Sequence, residues 1–123
     1  MEYLDLDKIS SYTKSYKLSN EVWEVVLGWD HFAKNTIGQQ LVNSMDSISA
    51  NISEGFGRYT KKDKIRFYRI SQGSLKETIG WVNKSKDRKL MSEKQHAEIM
   101  NELLTLPKEI NQLVKFTNEK LKF

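Results

Sequence analysis

The sequence has 123 residues, 38% of them hydrophobic and 29% charged, with a formal net charge of +4; that length supports one domain whose core needs no metal or disulfide staple. The chain is too apolar to be disordered, and having no cysteine it has no disulfides, thiolate metal sites or thiol nucleophiles. Its start, Met1-Glu2-Tyr3-Leu4-Asp5-Leu6-Asp7, is acidic where a signal peptide needs lysines, and no apolar run approaches the ~20 residues of a membrane span, so a cytoplasmic location is expected.

Apolar residues recur at spacings of three and four, and no run alternates with period two, so every element is expected to be helical. A first helix is expected from about Asp7 to Leu27, with Ile9, Tyr12, Tyr16, Trp23 and Val26 near one another on its surface. Gly28 is its natural stop, and Trp29 to Asn35 reads as a connecting loop. Thr36 can cap a second helix, striped by Ile37, Leu41, Met45, Ile48 and Ile52, with Gln40, Ser44, Ser47, Asn51 and Glu54 opposite. Gly55-Phe56-Gly57 should end it, either glycine taking the left-handed terminal conformation. Thr60-Lys61-Lys62-Asp63 resembles a capping start for a third helix reaching about Lys86. Ser92-Glu93-Lys94-Gln95 is a capping box opening a fourth helix to about Lys120, with Ile99, Leu103, Leu106, Ile110, Leu113 and Thr117 as its apolar series. Pro107 should kink or break it near Thr105-Leu106. Four long helices with short links predict an all-α, antiparallel up-down-up-down four-helix bundle spanning residues 1–123 as one domain.

Charge is unevenly distributed along this plan. Between Arg58 and Lys89 there are eleven Lys/Arg and three acids, a local +8 that leaves −4 for everything else. Concentrated basicity points to an anionic partner. On the third helix, Ile65, Tyr68, Gln72, Leu75, Ile79 and Val82 cluster as the core face. Lys62, Arg66, Arg69, Lys76 and Lys84 share a second face, with Gly73 and Gly80 between them, where the missing bulk would admit a backbone or a phosphate. The plain alternative is a solvated surface helix; against it, only Glu77 borders the stripe, so the usual i,i+4 acid partners are missing. Arginines beside aromatics such as Tyr59 and Tyr68 suit phosphates and bases, so RNA or DNA contacts are expected at Arg58, Lys61, Lys62, Arg66, Arg69, Lys76 and Lys84.

Phe67, Ile70, Ser74 and Trp81 form a third patch on that helix. It reads either as a subunit interface, through Phe67, Ile70 and Trp81, or as a wide core face touching two neighbours. Catalytic patterns are poor. Glu93-Lys94-Gln95-His96 matches half of a di-iron bundle motif but lacks the second copy and the further inward glutamates, and two histidines make no cluster. There is no phosphate-binding Gly-rich loop, and the Asn51-Ile52-Ser53 sequon should be silent inside a helix. Asn51 and Glu54 read as a functional pair or as a helix-end network.

The run Asn51-Ile52-Ser53-Glu54-Gly55-Phe56-Gly57-Arg58, then Thr60-Lys61-Lys62 and Arg66-Phe67-Tyr68-Arg69-Ile70-Ser71-Gln72-Gly73-Ser74-Leu75-Lys76-Glu77, resembles the four-helix-bundle family of 23S rRNA intervening-sequence proteins. That family is similar in turn to the accessory proteins of diversity-generating retroelements. The resemblance spans about Leu6 to Leu121, although Ser53 stands where family members usually have alanine. It implies a homopentamer with a positive surface that engages nucleic acid and, for the retroelement relatives, a reverse-transcriptase partner. The family's motif falls on Asn51, Glu54, Gly55, Phe56, Gly57, Arg58, Gly73, Ser74 and Glu77, which the resemblance assigns to fold and assembly. The expectation is therefore a cytoplasmic, non-enzymatic, homopentameric bundle that binds RNA or DNA through its third helix, with no cofactor, no metal and no membrane partner. The alternative is a protein-interaction scaffold or accessory subunit, for example of a reverse transcriptase.

Overall fold

The computed structural model describes residues 5–123 and is all-helical over them. Part of the acidic start, Met1 to Leu4, lies outside the described residues. A short 3-10 turn, Leu6–Lys8, leads into α1, Ser10–Leu27. Helix α2 covers residues 31–56, as an α-turn His31–Ala33, a π-turn Lys34–Gly38 and an α-helix Gln39–Phe56. Helix α3 is Lys61–Asp87, and the last arm is divided into α4, Glu93–Leu103, and α5, Leu106–Lys120.

Several boundaries follow from capping chemistry. Thr60 accepts a side-chain bond from the Asp63 N–H, and Ser92 and Gln95 form the reciprocal capping box. The fourth arm breaks at Leu104-Thr105, placing Pro107 within the first turn of α5, where its missing N–H costs nothing. Of the expected loop at Trp29–Asn35, Trp29 and Asp30 link the helices, whereas His31 to Asn35 form the first part of α2. Asp30, not Thr36, is the cap, its carboxylate accepting from the Ala33 N–H at 3.0 Å. Thr36 lies within the helix and donates back to the Phe32 carbonyl at 2.8 Å. The buried series Ala33, Ile37, Leu41 and Met45 repeats every four residues and would drift by about 40° per step on a regular 3.6-residue helix; a wider π-turn absorbs part of that drift.

Helices α2 and α3 run antiparallel. Thr78 Oγ1 lies 3.0 Å from Ser44 Oγ, Ser71 donates to the Ile48 carbonyl at 2.8 Å, and Gly55 meets Tyr68. The last arm returns along α3 with His96 beside Asn83, Asn111 beside Gln72 and Asn118 beside Lys61, and Lys14 of α1 pairs with Glu109 of α5 at 2.9 Å. Chain neighbours are thus spatial neighbours and the last arm closes back onto α1, giving the antiparallel up-down-up-down four-helix bundle.

The apolar set expected near one another on α1 is split: Ile9 and Val26 are buried and Tyr16 and Trp23 are not. Ser11, Ser15, Leu18, Val22 and Val26 are buried, whereas Tyr16 and Trp23 are half exposed. Small serines fit a close helix crossing, and Ser15 satisfies its hydroxyl on the Ser11 carbonyl at 2.6 Å. Likewise the deepest face of α3 is Tyr68, Ser71, Leu75, Thr78, Val82 and Ser85, while Ile65, Gln72 and Ile79 sit at its edge. Gly55 lets α2 and α3 touch: an added Cβ would lie 2.8 Å from both the Lys64 carbonyl oxygen and Tyr68 Cε1. Neither Gly55 nor Gly57 adopts positive φ; Gly57 is αR, so close approach rather than left-handed backbone explains Gly55. Burial pushes the Tyr68 phenol up to about 12, against a smaller opposing hydrogen bond with Thr117.

Candidate functional site

With Tyr68, Leu75 and Val82 turned inward, helical geometry turns Lys62, Arg66, Arg69, Lys76 and Lys84 to the solvent side of α3, and all five are exposed. Gly73 and Gly80 lie on the same ridge, where an added Cβ would meet nothing within 4 Å. The ridge is therefore open to a large ligand along its length.

The cations on and beside it are held in different ways. Arg58, on the α2–α3 link, pairs with Glu54, and its guanidinium lies 4.6 Å from the Phe67 ring centroid. Arg66 lies over the same ring at 4.5 Å and pairs with Asp63 at 3.3 Å. The expected lack of acid partners is thus corrected for these two arginines, whose partners lie one turn away on the flank of the stripe. Exposed pairs of this kind contribute at most ~1 kcal/mol and yield readily to phosphate. Arg69 donates to Gln72 at 2.9 Å and reaches Asn111 at 3.4 Å, which orients it across the α3–α5 edge. Lys76 rims a groove of about 300 Å³ at that edge, also lined by Ile79 and Pro107. Lys84 lies 4.8 Å over the Trp81 ring, and Lys61 donates to the Asn118 carbonyl at 3.0 Å. Lys62, Lys76 and Lys84 have no ion-pair partner among the described residues.

Not every cation of the +8 segment faces outward. Lys64 donates to the Phe56 carbonyl at 2.6 Å, at the C-terminal end of α2 where a cation is favoured, and burial lowers its pKa. It pins the α2–α3 corner. Of the remaining motif residues, Asn51 and Phe56 lie toward that corner, and Ser74 and Glu77 lie in the middle of α3. Asn51 bonds back to the Ser47 carbonyl at 2.8 Å, Phe56 lies beside Lys64, Ser74 accepts through its carbonyl from Thr78, and Glu77 accepts from the Trp81 indole at 3.3 Å. Phe67 and Trp81 are half-buried and Ile70 is 42% exposed, so the third patch is present as an apolar ridge beside the cationic one.

Two features went unread in the sequence. Tyr16, Trp23 and Leu27 form an exposed apolar ridge on α1, 54%, 50% and 46% accessible. Between it and the α3 ridge lies α2, which from residue 35 to residue 53 carries one charge, Asp46. Tyr59 and Phe123 stack with centroids 5.9 Å apart at the α2–α3 corner. Sequence adjacency to Arg58 singled out Tyr59, but nothing local brought Phe123 to it. On the opposite side, the α1–α4 groove is acidic: burial and the neighbouring Glu21 and Glu98 charges raise the Glu102 carboxyl, with Lys17 opposing. His96 faces Asn83 at 2.8 Å, and no group of three or more potential metal-ligating side chains occurs among the described residues. No helix among them is long and apolar enough to cross a membrane.

Comparison with known proteins agrees with this geometry. A family model described as 23S rRNA-intervening sequence protein matches residues 7–112. Among solved structures, the chain is similar to a protein of unknown function from the S23 ribosomal protein family of Bacteroides thetaiotaomicron. The TM-score is 0.76 at 21% identity, covering 85% of this chain and 98% of that one, a likeness that shows the fold. No curated protein matches the chain.

Proposed function

We propose, from the premise that the chain belongs to the 23S rRNA-intervening sequence protein family, that it is a non-enzymatic cytoplasmic protein that binds RNA or DNA as a homo-oligomer. The observation that carries this reading is the solvent-facing ridge of α3, where Lys62, Arg66, Arg69, Lys76 and Lys84 line up over two glycines with open space above them. Arg58 and Lys61 extend the ridge around the corner. These groups would contact phosphates and confer little sequence preference, because charge and backbone shape are what they read.

Assembly would repeat the ridge and multiply a weak site through avidity. Two apolar ridges, Tyr16/Trp23/Leu27 on α1 and Phe67/Ile70/Trp81 on α3, flank an outer side of α2 that carries a single charge, Asp46, between residues 35 and 53, and an interface core is depleted in charge in this way. A ring needs two different complementary patches on each copy, and these two ridges supply them; the homopentamer of the resemblance is such a ring. The same sparsely charged face supports the second reading, a scaffold or accessory subunit that docks a protein such as a reverse transcriptase.

Charge reversal separates the readings. Arg66→Glu with Arg69→Glu should abolish binding of a labelled RNA or DNA at low salt while the helical circular dichroism stays unchanged. Unchanged affinity would remove the α3 ridge from the site. Light scattering of the purified chain at micromolar concentration should give several times the chain mass of 14.4 kDa, and a monomer mass would overturn the assembly reading.

A further inference from the structure

One corner of the bundle combines charge with exposed aromatic rings. Tyr59, on the short link between α2 and α3, is 78% exposed, and Phe123 is 64% exposed. Their rings stack on each other, 18° from parallel, yet both remain largely open to solvent. The tail is tied in place: the Lys61 N–H donates to the Phe123 carbonyl at 2.9 Å, and the Lys61 ammonium holds the Asn118 carbonyl. Residues 58–64 and 120–123 contain six Lys/Arg and a single acid, Asp63, already paired with Arg66. Lys122 lies over the Phe123 ring at 5.9 Å, and the Arg58 guanidinium sits over Phe67 a few residues along.

Two exposed rings stacked side by side offer an apolar platform on which a further flat ring can stack. Cations around the rings exclude a cationic partner and favour an anion with flat apolar faces. An unpaired nucleotide fits both requirements, since its base can extend the ring stack while its phosphate meets Lys62 or Lys122. We infer that the Tyr59/Phe123 corner is a base-stacking site for single-stranded nucleic acid, placed at the end of the α3 ridge that holds the phosphates. Duplex bases, already stacked on their neighbours, cannot reach these rings. The inference rests on the nucleic-acid reading above and adds the strandedness of the ligand and the residues that sense it.

Fluorescence anisotropy with the full chain tests it, using a labelled unstructured RNA oligonucleotide and a labelled duplex of the same length. Tyr59→Ala with Phe123→Ala should weaken single-strand binding about tenfold, leave duplex binding within about twofold, and keep the salt dependence, because no charge changes. Tyr59→Trp, which retains a ring at the same place, should bind the single strand at least as tightly as the parent. Single-strand affinity unchanged by the double alanine variant, with Arg66→Glu/Arg69→Glu still weakening it, would overturn the stacking site and leave the phosphate ridge standing. Equal losses for both ligands would also overturn it. A parent chain that binds neither ligand would overturn the wider reading and the stacking site together.

Discussion

Gly55→Ala is the most discriminating change in the fold. The added Cβ would sit 2.8 Å from the Lys64 carbonyl oxygen, 2.8 Å from Tyr68 Cε1 and 3.0 Å from Phe67 Cβ. Two of those three atoms belong to backbone or to the stem of a side chain, so local rotamer changes cannot relieve the contact, and α2 must move away from α3. Overpacking of this kind costs about 1–3 kcal/mol, and the gain in helix propensity from glycine to alanine returns up to about 1 kcal/mol. The net expectation is a loss of about 1–2 kcal/mol, or about 4–8 °C in Tm for a chain of this size. Gly73→Ala is the matched control: nothing lies within 4 Å of its added Cβ, so only the propensity gain of about 0.5–1 kcal/mol operates, with the opposite sign. Urea unfolding followed by circular dichroism at one fixed protein concentration reads both. Equal or greater stability of Gly55→Ala would refute the close-approach account of the α2–α3 corner, and with it the reason Arg58 is held over Phe67.

Asp30→Ala removes the cap of the early part of α2 and should cost about 1 kcal/mol by urea unfolding, whereas Thr36→Val should have a smaller effect, since Thr36 lies inside the helix. Tyr68 gives a pH dependence. Burial pushes its phenol up from the ordinary 10.0 to about 12, so the neutral phenol stabilises the fold fully below pH 10. That contribution is lost as pH rises from 10 toward 12. Tyr68→Phe should therefore flatten the fall in Tm over that alkaline window, and an unchanged fall would assign it to other groups.

Much of this architecture can be read from local pattern. The α2 stripe from Ile37 to Ile52, the Ser92/Gln95 capping box and the break before Pro107 all depend on neighbours within one or two turns. The face of α1 cannot be read this way. Tyr16 and Trp23 are more apolar than Ser11 and Ser15, yet the serines are inside because the bundle's crossing needs small side chains, and Ser15 bonds its hydroxyl to its own helix. The helical start at His31 runs into a π-turn at Lys34–Gly38, which spacing rules for regular helices do not describe. For the candidate site, the solvent-facing ridge is legible because α3 is one uninterrupted helix and angular position alone sorts its faces. The Glu54 and Asp63 partners are local, one turn from Arg58 and Arg66, and only the angular sorting of the stripe passed over them; the meeting of Tyr59 with Phe123 depends on the corner and the tail coming together in three dimensions.

The central claim, that α3 holds nucleic acid by its phosphates, is tested most directly by the salt dependence of affinity for a labelled single-stranded RNA. For single strands the log–log slope is about −0.7 per phosphate neutralised, so the four cations Lys62, Arg69, Lys76 and Lys84 predict about −3 per chain engaged, and all seven predict about −5. A slope in that range, reduced by about 0.7 for each of these residues replaced by glutamine, is the expected result. A slope near zero, or no binding even at low salt, would contradict it.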